Sequence, residues 1–292
     1  MKFSLGSGKT TYCGIMKDFM INLNRNVFVI NLDPANENLT YDCEINIYEL
    51  INVDDVMRNC NLGPNGGLLF AIEFLEENFD WLEFKLNNLS KKYPNAYFLF
   101  DFPGQIELYT HHKSIKNIIE KLTKLDYRLC SVNLIDSHYC TDPGKFISVL
   151  ITTLNMMLHI EMPHVNLLSK IDLIEQYGKL AFNIDFFTEV LDLNYLIEQL
   201  DNDRIYHKYK KLNKTICDIV EDFSLVHFLP FNIQNKKNIL FVLQQIDLAN
   251  GYVYGNLDNK EVLNSIATQQ QYKIYDEFYN IENDRCDDDD DE

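Results

Sequence analysis

The chain has few basic residues. Its 292 positions hold 26 Lys and Arg against 44 Asp and Glu, a formal net charge of -18. A surface so short of positive charge does not neutralise a phosphate backbone, so direct binding to nucleic acid is not expected. Proline and glycine are sparse as well, at 7 and 11, and no Pro-rich linker divides the chain. The 7 cysteines are scattered, odd in number and without a C-x-x-C pair. That pattern excludes a zinc ribbon and points to a reducing compartment rather than a disulfide framework. No apolar run approaches the length of a membrane span, and the first residues carry no signal-peptide pattern; neither a membrane helix nor a secretion signal is expected there. Hydrophobic residues make up 46%, enough at this length to bury a full core, as one large domain or one domain with insertions.

What is present is organised around Gly6-Ser7-Gly8-Lys9-Thr10-Thr11. This reads as the second half of a P-loop. Backbone N–H groups of such a loop wrap a phosphate, the lysine reaches the β- and γ-phosphates, and the next hydroxyl binds Mg²⁺. A helix expected over residues 10–23 aims its positive end at the same phosphates. The bland alternative is a Gly/Ser turn before an ordinary helix, and it leaves the later motifs unexplained. The first glycine of the full pattern falls on Phe3, and only Met1 to Leu5 precede the loop. A P-loop hangs from a buried strand, so the expectation is a wrong start or a missing first strand.

Residues 27–32, Val-Phe-Val-Ile-Asn-Leu, read as a buried parallel strand. The strand runs into Asp33-Pro34, and residues just past a strand's C-terminal end face the ligand crevice of a doubly wound sheet. Asp33 is therefore a candidate for holding Mg²⁺ or orienting an attacking water, against the alternative of a turn residue before proline. A short helix is expected near 53–58. Gly63-Pro64-Asn65-Gly66-Gly67 is a strong turn signal. One amphipathic helix is expected over 70–92, its Phe70, Phe74, Trp81, Leu82, Leu86 and Leu89 serving the core.

The next strand, 96–100, runs into Asp101-Phe102-Pro103-Gly104-Gln105-Ile106-Glu107. This matches the D-x-x-G-Q of GTP-binding switches: Asp101 for the Mg²⁺ shell, the Gly104 N–H for the γ-phosphate, and Gln105 for the attacking water. Whether Gln105, Asp33 or Glu107 holds that water stays open. A strand at 129–135, a helix at 145–160 and a strand at 165–168 lead to Ser169-Lys170-Ile171-Asp172. This resembles the guanine-reading N/T-K-x-D motif with Ser169 in place of Asn or Thr. A carboxylate at Asp172 accepts from the guanine N1–H and exocyclic amine, a donor pair adenine lacks, while the Lys170 stem packs on the base. Residues 177–223 read as a helical insertion. A last strand is expected at 225–228, and a following loop through Asn232 covers the base. Helices are expected near 236–249 and 260–279, and the run Asp287 to Glu292 reads as a solvated, disordered tail. The fold class is therefore α/β, a Rossmann-like P-loop NTPase with a mostly parallel sheet flanked by helices. Its main domain is expected over 1–255, with the last helix and the acidic tail over 256–292.

Gly63-Pro64-Asn65 between the Asp33 and Asp101 motifs, with Asp101 to Glu107 themselves, resembles the GPN-loop GTPases. The runs Leu168 to Leu173, Tyr177 to Asn183, Thr188 to Leu193, Pro230 to Gln234 and Ala249 to Tyr252 are similar to one eukaryotic branch of that family, in which Ser169 is at home. The resemblance reaches to about Gly255 and departs at Phe3, Ser4 and Leu5. It implies binding and hydrolysis of GTP with Mg²⁺, and homodimers or heterodimers of paralogues. It also implies that Asn65 points across the dimer toward the partner's nucleotide. It further implies a cytoplasmic protein, shuttling to the nucleus, that meets RNA polymerase subunits or assembly factors in the assembly and nuclear import of RNA polymerase II and of other RNA polymerases. Two readings stand beside it: a P-loop ATPase or nucleoside kinase, and a hydrolysis-deficient scaffold favoured by the incomplete P-loop.

Overall fold

The structure is a computed structural model and describes residues 8–36, 39–177, 180, 182–190, 193–201 and 208–252. The expected first strand, Gly6, Ser7, the expected helix at 260–279 and the acidic tail lie outside the described residues.

The apolar runs form strands because their side chains are covered on both faces, as in parallel sheets. β1 (Val27–Asn31) lies between β2 (Ile45–Asn46) and β3 (Tyr97–Asp101). β5 (His164–Ser169) lies between β4 (Ser131–Asp136) and β6 (Leu229–Phe231). Every pairing is parallel, so the strand C-termini gather at one end of each sheet. The registers set Asn31 beside Asp101 and Asp136 beside Ser169. The edges of β3 and β4 that face away from β1 and β5 line a cavity of about 580 Å³, which reaches Lys9, Asp101 and Gly104.

Helices begin where the sequence supplies caps. Asn52, Asp142 and Asn235 each accept backbone N–H groups at the starts of α2 (Val53–Cys60), α7 (Pro143–Ile160) and α12 (Lys236–Asn250). α1 (Lys9–Asn22) presses Tyr12, Met16 and Met20 into a core that also holds Val29 of β1, Leu134 of β4, Leu167 of β5 and Val242 of α12. One helix thus serves both sheets. The outer face of the first sheet packs on α3 (Pro64–Glu77), α4 (Phe79–Lys92) and α6 (Ser114–Lys124). The described residues of the stretch read as an insertion are largely helical. Its described pieces are α8 (Ile174–Tyr177), α9 (Ile184–Glu189), α10 (Asn194–Asp201) and α11 (Lys210–Phe223). Phe187, Leu196 and Val220 from these helices close a core against Phe146 and Leu150 of α7.

The structure corrects several sequence-based expectations. Gly63-Pro64-Asn65 is a helix start rather than a loop: Gly63 is the N-cap and Pro64 opens α3, where a missing N–H costs nothing and φ is already set. Gly67 then packs so closely on α2 that a Cβ there would come within 2.8 Å of Met57 Cγ. The single helix expected over 70–92 is two, meeting at Asn78, whose side chain and backbone N–H both donate to the Phe74 carbonyl, at 2.8 and 3.0 Å. Residues 225–228 are not a strand. The Phe228 N–H donates to Thr188 at the end of α9 and the His227 carbonyl accepts from the Asn166 side chain. The ladder with β5 starts only at Leu229, with Pro230 tolerated on this edge. β2 falls in a polar stretch that gave no strand signal.

Far from the strand C-termini, Arg25 forks onto Asp247 at 2.6 and 3.2 Å, with its guanidinium 4.6 Å from the Tyr252 ring centre. Removing one partner of such a pair leaves the other charge without compensation. Asp247→Ala is expected to lower unfolding free energy by about 3 kcal/mol in urea titrations; a loss under about 0.5 kcal/mol would mean that α12 is held by its apolar face alone.

Candidate functional site

The site begins at the N-terminus of α1. Gly8 caps the helix at φ 87°, a left-handed backbone that suits glycine, and its carbonyl accepts from Tyr12 N–H at 2.7 Å. Lys9, Thr10 and Thr11 fill the first turn, with Thr11 exposed. Gly6 and Ser7 lie outside the described residues. The Lys9 amine rests against Gly104, so closely that any Cβ at that position would collide with it. The loop after β3 is therefore folded onto the P-loop lysine, and a side chain there would push the lysine's end aside.

Asp101 closes β3 and is 2% exposed. Its Oδ2 accepts from Thr10 Oγ1 at 3.2 Å and from the Tyr41 hydroxyl at 2.7 Å, while Asn36 Nδ2 donates to Thr10 Oγ1 at 3.0 Å. Asp33 follows β1 in a turn in which Oδ1 accepts from Ala35 N–H at 3.0 Å. Burial raises both carboxyls above the usual carboxylate range; the charge of Asp101 adds to the effect at Asp33, and the Lys9 ammonium works against it at both. A hydroxyl and two partly desolvated carboxylates from three different elements form a hard oxygen set. It fits Mg²⁺, which is commonly held by one or two carboxylates together with phosphates and water. Thr10, Asp33 and Asp101 would supply those oxygens.

Gln105 Nε2 donates to Asn65 Oδ1 of the same chain at 3.0 Å, so the start of α3 meets the loop after β3. Glu107 opens α5 (Glu107–Thr110), two residues further on.

At the end of the second sheet, Ser169 Oγ donates to the Ile135 carbonyl at 3.0 Å and Ser137 Oγ donates to the Lys170 carbonyl at 2.9 Å. Lys170 has φ 59° and sets its amine 2.7 Å from Asp136 Oδ2. This contact raises the lysine's pKa. Asp172 is exposed on the short 3-10 turn Ile171–Leu173. Asn232 is occupied locally: its N–H donates to Asn238 Oδ1 at 2.9 Å, and its Oδ1 accepts from Gln234 N–H at 2.8 Å. The phosphate motifs thus stand on the first sheet and the base motif on the second.

Sequence reasoning missed Tyr41, Asn36 and Asp136. Tyr41 and Asn36 carry no motif. Asp136 carries a signal, since it ends a strand just as Asp101 does.

A family model described as "Conserved hypothetical ATP binding protein" matches residues 4–252. The chain is 56% identical over 257 residues to GPN-loop GTPase 2 of Danio rerio, covering 88% of this chain and 81% of that one. It is 48% identical over 273 residues to the GPN-loop GTPase 2 homolog of Dictyostelium discoideum, covering 94% and 85%. The yeast GPN-loop GTPase 2, from Saccharomyces cerevisiae, is 43% identical over 254 residues, covering 86% and 73%. Among solved structures, an apo-form GTPase from Pyrococcus abyssi superposes with a TM-score of 0.67 at 23% identity, covering 84% of this chain and 94% of that one, a likeness of fold. With the lysine of the P-loop, the Gly-Pro-Asn helix start and the strand-end aspartates in place, the chain is an enzyme of the GPN-loop GTPase family.

Proposed function

We propose that this chain binds and hydrolyses GTP with Mg²⁺ and works as a switch. The observation that carries the reading is the Lys9 amine folded against Gly104 beside the Thr10–Asp101 bond. These are the groups that phosphoryl transfer needs for charge neutralisation. The family model's description names ATP, and a P-loop ATPase is the second reading; the carboxylate at Asp172 favours guanine over adenine. Titrating the purified protein with GTP and with ATP in Mg²⁺ decides between them: tighter GTP binding with release of phosphate supports the proposal, and a preference for ATP rejects it.

Gln105 and Asn65 form the hydrolytic end of the proposal. Gln105→Leu should leave GTP affinity within about twofold and slow single-turnover hydrolysis by about a hundredfold, the scale of a lost water-positioning or oxyanion contact. Asn65→Ala should do the same to a lesser degree, because the Gln105 amide loses its acceptor. Family resemblance supports a second role for Asn65 across a homodimer or a heterodimer with a paralogue. Mixing Asn65→Ala with Lys9→Ala chains separates the two: restored hydrolysis places Asn65 in trans, and a mixture that exchanges subunits yet stays inactive places it in cis.

The cellular role is proposed from family membership: assembly and nuclear import of RNA polymerase II and of other RNA polymerases, through polymerase subunits or assembly factors, in a cytoplasmic protein that shuttles to the nucleus. Depleting the protein should leave the largest polymerase subunit in the cytoplasm; unchanged nuclear polymerase rejects this role. Among the described residues no helix is long and apolar enough to cross a membrane.

A further inference from the structure

Lys170 pairs with the Asp136 carboxylate and lies two residues before Asp172 in the chain, and the two carboxylates have different surroundings. Asp136 is 8% exposed and fully engaged: Oδ1 accepts from His138 N–H at 3.0 Å, and Oδ2 accepts from the Lys170 amine at 2.7 Å. Asp172 is exposed, and its side chain is bonded by none of the described residues. A lysine stem has four rotatable carbons and a point charge that pairs with any nearby acceptor. Left unpaired, the Lys170 ammonium could fold onto Asp172 and neutralise the carboxylate that must receive the two base donors. The turn also holds Lys170 in a left-handed backbone that disfavours side chains with a Cβ, fastened by Ser137 Oγ on its carbonyl and by Ser169 Oγ on Ile135.

From this geometry we infer that Asp136 is a specificity-determining positioning residue for the nucleobase. It draws the Lys170 ammonium to the end of β4, lays the aliphatic stem down as a preformed face for the base, and leaves the Asp172 carboxylate open to guanine. The inference rests on the reading of residues 169–172 as the base-reading segment. Preorganisation of this kind lowers the ordering cost at the moment of binding. It helps a ligand that uses Asp172 and does little for one that does not.

Asp136→Asn is the test, because an amide oxygen still accepts from His138 N–H while the charge is lost. Calorimetric titrations of wild type, Asp136→Asn, Lys170→Met and the double variant, each with GTP and with ATP, read the effect. Asp136→Asn should weaken GTP binding by about tenfold, as expected for a lost charge-assisted contact. ATP should weaken by less than about twofold, so the GTP-to-ATP ratio falls. The double variant should show the ratio of Lys170→Met alone, because Asp136 acts through Lys170. Equal losses for both nucleotides, an unchanged ratio, or additive effects in the double variant would overturn the inference and leave Asp136 a turn lock. Should Asp136→Asn fail to fold, Lys170→Met alone decides, and an unchanged ratio there overturns it. Asp172→Asn titrated with xanthosine triphosphate separates the two levels. If that variant gains the xanthine nucleotide while Asp136→Asn keeps its ratio, only the role of Asp136 falls. If Asp172→Asn changes nothing, the base-reading segment is misassigned and the role of Asp136 falls with it.

Discussion

Lys9→Ala protein should give no saturable binding of GTP at concentrations that saturate the wild type. The amine lies where the P-loop helix and the Gly104 loop converge, where a P-loop lysine would meet the β- and γ-phosphates. Two charge-assisted contacts at roughly 1.5–3 kcal/mol each correspond to a loss on the order of 10² to 10⁴ in affinity. Thr10→Ala should behave differently. It removes the hydroxyl that donates to Asp101 at 3.2 Å and accepts from Asn36 at 3.0 Å, while Tyr41 still holds Asp101. Binding should survive in part but lose most of its dependence on added Mg²⁺. Equilibrium titration with and without a chelator reads both outcomes. Near-wild-type affinity in Lys9→Ala would remove the P-loop reading altogether.

The second large effect is a change of base. Asp172→Asn replaces an acceptor by a group that can also donate. Guanine then loses its acceptor for two donors, and xanthine, with a carbonyl where guanine has its amine, gains one. GTP affinity should fall by about 3 kcal/mol, roughly a hundredfold, and xanthosine triphosphate should become the better ligand. Unchanged GTP affinity would reject Asp172 as the reader and reopen the adenine reading.

Asp33, Asp101 and the 169–172 segment could be placed from sequence because buried parallel strands read as short apolar runs. The residue that ends each run falls at the crevice whatever the order of the strands. Lys9 and Gly104 were legible for another reason: each belongs to a motif in which spacing substitutes for geometry. Tyr41 has neither advantage. It lies in a polar stretch, and only the packed fold brings its hydroxyl to a carboxylate 60 residues away. The same limit applies to the register of β6, where the competing bond from Phe228 to Thr188 is long-range. Gly63-Pro64-Asn65 misled for a local reason: glycine before proline signals a turn, yet the same pair caps and opens a helix when apolar residues follow. The first strand, Gly6, Ser7 and residues beyond 252 stand outside the described residues.

α1 touches both sheets through a single core, from Val29 and Leu134 to Leu167 and Val242, and its first turn carries Lys9 and Thr10. Phosphate contacts made on that turn and base contacts made at Asp172 would join, through one small molecule, strands that meet no common ladder partner among the described residues. The nucleotide then acts as a crosslink. Ligand at about 100 times its dissociation constant adds about 2.7 kcal/mol to the native state, and this increment cannot be assigned to either half alone. Loss of the γ-phosphate would slacken only one anchor of such a crosslink, so the product state would be tied at the base and loosened at α1.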